Sequence, residues 1–106
     1  MRGLRKRHGR SRSGPIDEIA ARELDLYAEN TWELYNQKKS ILANVRRRVA
    51  KGTYDPALAP KLWMYWVDAA AKRYTREFGS GSPIFNKATR EHLARELANR
   101  YRTGEE

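Results

Sequence analysis

The sequence predicts an all-α protein, a compact bundle of three to five helices behind a disordered basic N-terminal tail. Three observations carry that expectation. Apolar residues recur at three- and four-residue steps through successive segments, which is the period of a helix face. The two-residue alternation of a half-buried strand is missing from the sequence. Residues that start and stop helices stand between the segments, with Asp55-Pro56 and Asn86 as starts and Gly52, Gly79 and Gly104 as stops.

Residues 1–15, "MRGLRKRHGRSRSGP", are rich in Arg, Gly and Ser and hold one large apolar residue after Met1, Leu4. Such a segment buries too little surface to offset its ordering entropy, so a disordered tail is expected. Residues 16–104 are then a single helical domain. Its first helix starts near Asp17, with acids in the first turn where the helix dipole favours them. Ile16, Ile19, Ala20, Leu24, Tyr27 and Ala28 give it an apolar stripe. "ENTWE" offers a break, where Asn30 or Thr31 can cap a new turn and Glu33 sits near the right place for a capping box, and Ser40 offers a second cap. The sequence leaves open whether residues 17–51 form one helix or several. Ile41, Val45 and Val49 make an i, i+4, i+8 row with Leu42 beside it, and Gly52 ends the segment. Asp55 and Pro56 suit the start of the next helix. Pro60 removes one backbone bond there, so the regular helix begins around it. Asn86 caps a last helix carrying Ala88, Leu93, Leu97 and Tyr101 on one side.

The segment "KLWMYWVDAAAKRYTREFG" is apolar over most of a helix circumference. Trp63, Val67, Ala70, Tyr74 and Phe78 form one row, and Leu62, Trp66 and Ala69 a second. That marks a central helix around which the others pack. Without these rings the chain has too few large apolar residues for a core, so Trp63, Trp66 and Tyr74 are assigned to it. Lys61, Asp68 and Lys72 form the polar stripe of this helix. Tyr65 lies beside it and is a candidate for surface contact.

Composition excludes much. The 106 residues make one domain. With no cysteine there is no disulfide, thiolate metal site or cysteine nucleophile. The two histidines, His8 and His92, make no metal set. No glycine-rich phosphate loop, nucleophile elbow or diagnostic carboxylate pair is present. The chain reads as a non-enzyme with no cofactor, no metal and no small-molecule substrate. No apolar run approaches the roughly 18 residues of a membrane span, and the basic N-terminus lacks a signal peptide's apolar stretch. A soluble intracellular protein without membrane contact is expected.

The net charge is +9, and it is segmented. Residues 1–12 hold Arg2, Arg5, Lys6, Arg7, Arg10 and Arg12 with no acid. Residues 16–34 hold six acids, among them Asp17, Glu18, Asp25 and Glu29, against Arg22 alone. Residues 38–51 hold Lys38, Lys39, Arg46, Arg47, Arg48 and Lys51 with no acid. A cationic tail and a cationic helix point to nucleic acid bound through phosphates, by counterion release and without sequence readout. The tail and Arg46, Arg47, Arg48 and Lys51 are the candidate contacts, with Lys38 and Lys39 behind them. The competing reading is that the acidic and basic helices neutralise each other.

"GTYDPALAPKLWMYWVDAAAKRYTREFG" resembles a family of small basic helical proteins encoded by bacteriophages and related mobile elements. Gly52, Tyr54, Asp55, Ala59, Lys61, Leu62, Tyr65, Val67, Asp68, Ala69, Lys72, Tyr74 and Phe78 carry the resemblance. "FNKATREHLARELANRY" fits the same pattern, and together they cover about half the chain. The resemblance implies an accessory or host-interacting protein, located in the bacterial host cytoplasm or the virion, and no particular activity. The sequence thus supports a phage-type accessory protein that binds DNA or RNA. The alternative is a protein-interaction module, either an inhibitor of a host nucleoprotein machine such as an anti-CRISPR protein or a self-assembling virion component. Asp17, Glu18, Asp25 and Glu29 would then form the contact surface as a nucleic-acid mimic.

Overall fold

Three connections divide the described residues into four helices. A computed structural model describes residues 14–106, so the tail expected to be disordered lies outside the described residues except for Gly14 and Pro15. The elements are α1 (Glu18–Glu29), α2 (Trp32–Lys51), α3 (Ala59–Phe78) and α4 (Lys87–Arg100), with a 3-10 turn at Gly79–Gly81. Among the described residues there is no strand, and the fold is all-α.

Asp17 caps α1 by accepting a hydrogen bond from the Ala20 N–H at 3.0 Å. The chain breaks at Asn30 and Thr31, so residues 17–51 are two helices. Of the two offered caps Thr31 is the one at the start of α2, but its side chain makes no capping bond, and no capping box forms. The Thr31 hydroxyl instead donates to the Tyr27 carbonyl at 2.7 Å, which ties it to the helix it leaves. Ser40 starts nothing, because α2 runs through it. Gly52 ends α2 at φ +74°, a left-handed conformation suited to glycine. Asp55 closes a separate turn, with its carboxylate accepting from the Ala57 N–H at 2.9 Å. The helix begins only at Ala59, with Pro60 in its first turn, where no bond is lost.

Hydrogen bonds and packed rings fix the arrangement. α3 and α4 are antiparallel, since Phe85 meets Tyr74 edge-to-face with centroids 5.2 Å apart while Tyr101 lies 5.5 Å from Trp63. α2 and α3 are antiparallel too. Trp66 Nε1 donates to the Leu34 carbonyl at 2.8 Å near the start of α2, and Arg48 near its end shares a cavity with Lys61. α1 packs on α3 and α4. The Asp17 N–H donates to Thr89 Oγ1 at 2.9 Å and Asn86 Nδ2 to the Pro15 carbonyl at 2.9 Å, pinning the starts of α1 and α4 together.

Trp63 is fully buried, and Trp66 and Tyr74 are buried beside it. The aromatic helix is thus the centre of the core, and each such ring contributes about 1.5–3 kcal/mol by leaving water. Leu93, Leu97 and Tyr101 join from the α4 side. The apolar rows run wider than the surface the neighbours cover. On α1 the buried residues are Ala20, Ala21, Leu24 and Ala28, while Ile19 and Leu26 point outward, 76% and 62% exposed. Ile16, Val49 and Phe78, also expected in the rows, are 42%, 41% and 50% exposed. They sit at or near helix ends, where neighbours cover them only in part: Phe78 meets Tyr27 of α1 edge-on at 6.0 Å, and Val49 borders a cavity with Arg95 and Ala98 of α4.

Candidate nucleic-acid interface

The cations of α2 take two different places. Lys38 lies in the row Leu34, Lys38, Leu42 and Val45, within about 80° of helix arc, and is buried with those three residues. Its ammonium bonds Glu29, sits 3.4 Å from Glu106 Oε2 and lies 4.7 Å from the centre of the Tyr101 ring. Burial alone would lower its pKa. The bonds to Glu29 and to the Tyr101 side chain outweigh that and hold it above the ordinary lysine range. Lys38 is therefore a core contact and leaves the basic face on which the sequence placed it. Lys39 stays exposed, 5.4 Å from the Tyr35 ring centre.

The last turns of α2 face solvent. Arg46, Arg47, Arg48 and Lys51 are all exposed. Arg46 Nη1 donates to the Gly104 carbonyl at 2.7 Å. Gly104 fits there because its φ is +81° and a Cβ would stand 2.5 Å from Arg46 Cγ. Arg47 and Arg48 both donate to Asn44 Oδ1, at 3.4 and 3.0 Å, which splays them over one side of the helix. None of the four pairs with a carboxylate among the described residues.

The acids of α1 do not neutralise these arginines. Asp17 is a cap and Glu18 is exposed in the first turn. Asp25 Oδ2 accepts from Arg100 Nη1 at 3.2 Å, while its Oδ1 is buried without a hydrogen-bond partner among the described residues. Glu29 holds Lys38, and Glu23 accepts from the Tyr74 hydroxyl at 2.6 Å. At the start of α2, Glu33 pairs with Arg73 of α3. The expected neutralisation of α2 by α1 is thus confined to one pair at the start of the basic segment.

The α2–α3 connection gathers further cations. On one side of it a cavity of about 510 Å3 is lined by Arg48, Lys61 and Tyr65 over Tyr54, Leu58 and Leu62, with Asp55 the acid on its wall. On the other side a cavity of about 630 Å3 is lined by Arg95 and Arg102 with Val49, Tyr54 and Pro60. Tyr54 borders both. Burial raises the pKa of its phenol. Along α3, Lys61, Tyr65, Lys72 and Arg76 are exposed and fall within about 60° of arc over about 22 Å of helix. Asp68, beside that track, is engaged by Arg90 at 2.6 Å.

The sequence pointed to Arg46, Arg47, Arg48 and Lys51 and noted the polar stripe of α3. It did not join them, nor add Arg95 and Arg102, because that juxtaposition depends on α3 folding back along α2 and on α4 ending beside the turn. Arg2, Arg5, Lys6, Arg7, Arg10 and Arg12 lie outside the described residues. No group of three His, Cys, Asp or Glu side chains able to hold a metal occurs among the described residues. No described helix is long and apolar enough to cross a membrane. No protein-family model, curated protein or solved structure matches the chain.

Proposed function

We propose that this chain is a small accessory protein that binds nucleic acid through phosphates, with its Arg-rich tail and with the basic end of the bundle around the α2–α3 connection. One observation carries the reading. Arg46, Arg47, Arg48, Lys51, Lys61, Arg95 and Arg102 converge on that end with no ion-pair partner among the described residues. Exposed charges of one sign repel each other in the free protein. A polyanion relieves that repulsion and releases its own counterions. Arg48 and Lys51, and Arg102 just past the end of α4, also sit where a helix dipole favours positive charge, but Lys61 in the first turn of α3 and Arg95 in the middle of α4 have no such explanation. The test is binding of labelled DNA and RNA by the full chain and by a chain lacking residues 1–12, across a salt series. The reading expects a steep loss of affinity with salt and a shallower slope without the tail. A salt-insensitive complex would refute it.

A second reading, a protein-interaction module, draws support from another face. Ile19 and Leu26 stand outward on α1, and Leu26 shares a cavity of about 530 Å3 with half-exposed Phe78. A discrete oligomer by light scattering, unaffected by nuclease, would favour it. The acid-mimic version has less support, since Asp17, Asp25 and Glu29 are each engaged within the chain.

A further inference from the structure

Tyr65 is out of place for its helix. Trp63, Trp66 and Tyr74 of α3 are buried, yet Tyr65, between them in sequence, is 80% exposed. Its hydroxyl has no hydrogen-bond partner among the described residues, so neither packing nor a polar contact accounts for an aromatic ring there. What surrounds it is specific. Lys61 lies one turn earlier on the same face, Arg48 reaches the same cavity from α2, and Leu58 and Leu62 floor it. The cavity of about 510 Å3 falls within the size range of ligand sites.

We infer that Tyr65 is a stacking platform for an unpaired base, and that the basic end of the bundle prefers single-stranded nucleic acid over duplex. This rests on the phosphate-binding reading above and goes beyond it in naming the strand type. Cations alone give no preference for a single strand, because a duplex presents its phosphates at higher density. An exposed ring between two cations does discriminate. A base can lie on the ring only if it is free of its own stack, while Lys61 and Arg48 hold the flanking phosphates. In a duplex the bases are stacked on one another and the ring has only backbone to meet. Lys72 and Arg76 continue the same face of α3, so a strand leaving Tyr65 finds further positive charge along the helix.

The test uses the full chain and fluorescein-labelled 12-nucleotide single strands of DNA and RNA, with the matching DNA duplex, at moderate salt. Wild type should bind the single strands at least about fivefold more tightly than the duplex. Tyr65→Ala should weaken single-strand binding by about 5- to 150-fold and leave duplex binding unchanged. Tyr65→Phe should retain the preference, since the ring and not the hydroxyl is used. The ring is outside the core, so both variants should keep the wild-type circular dichroism and melting temperature. Equal affinity for both strand types, or a neutral Tyr65→Ala, would overturn the stacking role while salt-steep binding still upheld the phosphate reading. Absence of salt-dependent binding to every probe would overturn both. The DNA and RNA arms, compared in wild type, tell which strand the cavity takes.

Discussion

The two halves of α2 both carry cations and put them to different work. Lys38 in the first half is buried, bonded to Glu29 and faced by Glu106 and Tyr101. Arg47, Arg48 and Lys51 in the second half stand in solvent with no carboxylate partner among the described residues. The difference follows from position on the helix. Lys38 occupies an apolar row and has to bring a counter-charge inside with it, while the later cations lie off that row. A run of basic residues is therefore not one surface, and its members should separate by experiment into those that hold the fold and those left for a ligand.

Replacing Lys38 is the largest expected break. Lys38→Met keeps most of the stem but leaves Glu29 without its ammonium, and should destabilise the fold by about 2–3 kcal/mol in urea unfolding. Glu29 is one-third exposed and recovers some hydration, which keeps the loss below that of a fully buried orphan charge. Nucleic-acid affinity of the folded variant should not change. A variant as stable as wild type would mean that Lys38 does not hold the fold.

The reciprocal variant, Arg47→Gln with Arg48→Gln and Lys51→Gln, should leave the urea midpoint close to wild type and weaken binding. Each lost duplex phosphate contact reduces the salt slope by about 0.9. Unchanged binding would remove the second half of α2 from the interface.

Alkaline pH gives a smaller effect with a fixed sign. The folded-state pKa values of Lys38, Tyr27, Tyr54 and Tyr74 are all raised. For Tyr27 burial leads, with the bond to Glu77 behind it, and for Tyr74 the bond to Glu23 leads. A raised folded value means the stability is intact below the unfolded values, about 10 for these groups, and is lost as pH rises through the folded ones. Unfolding free energy should thus hold through neutral pH as far as these groups decide it, and decline above about pH 10. The decline should be shallower in Lys38→Met. Equal slopes in the two proteins would show that the lysine carries none of it.

Lys39→Gln is the smallest change expected. Lys39 adjoins Lys38 in sequence but is exposed, so the melting temperature should stay within error and the salt slope should fall by no more than about one contact. A large loss of stability would contradict the separation of the two lysines.

Helix periods, the Gly52 stop and the aromatic core were legible in the sequence because each depends on neighbours three or four residues away. Trp63 and Trp66 had nowhere else to go. The fate of Lys38 was legible in part, since Leu34, Leu42 and Val45 lie on its row, although the row read from Ile41, Val45 and Val49 obscured it. The outward turn of Ile19 and Leu26 was not, because it depends on α3 and α4 covering only the alanine side of α1. The meeting of Arg48 with Lys61 and Tyr65, and the arrival of Arg95 and Arg102 beside the same turn, are tertiary facts that no local pattern encodes.

The most direct measurement is the salt dependence of binding by the full chain and by the Arg47→Gln, Arg48→Gln, Lys51→Gln variant, on one labelled single strand. Affinity that falls steeply with salt in wild type, with a slope shallower by about 2 in the variant, three contacts at about 0.7 each on a single strand, is the result expected of an interface at the basic end. Equal slopes for the two proteins would place the contacts elsewhere, and binding indifferent to salt would contradict the phosphate-binding account altogether.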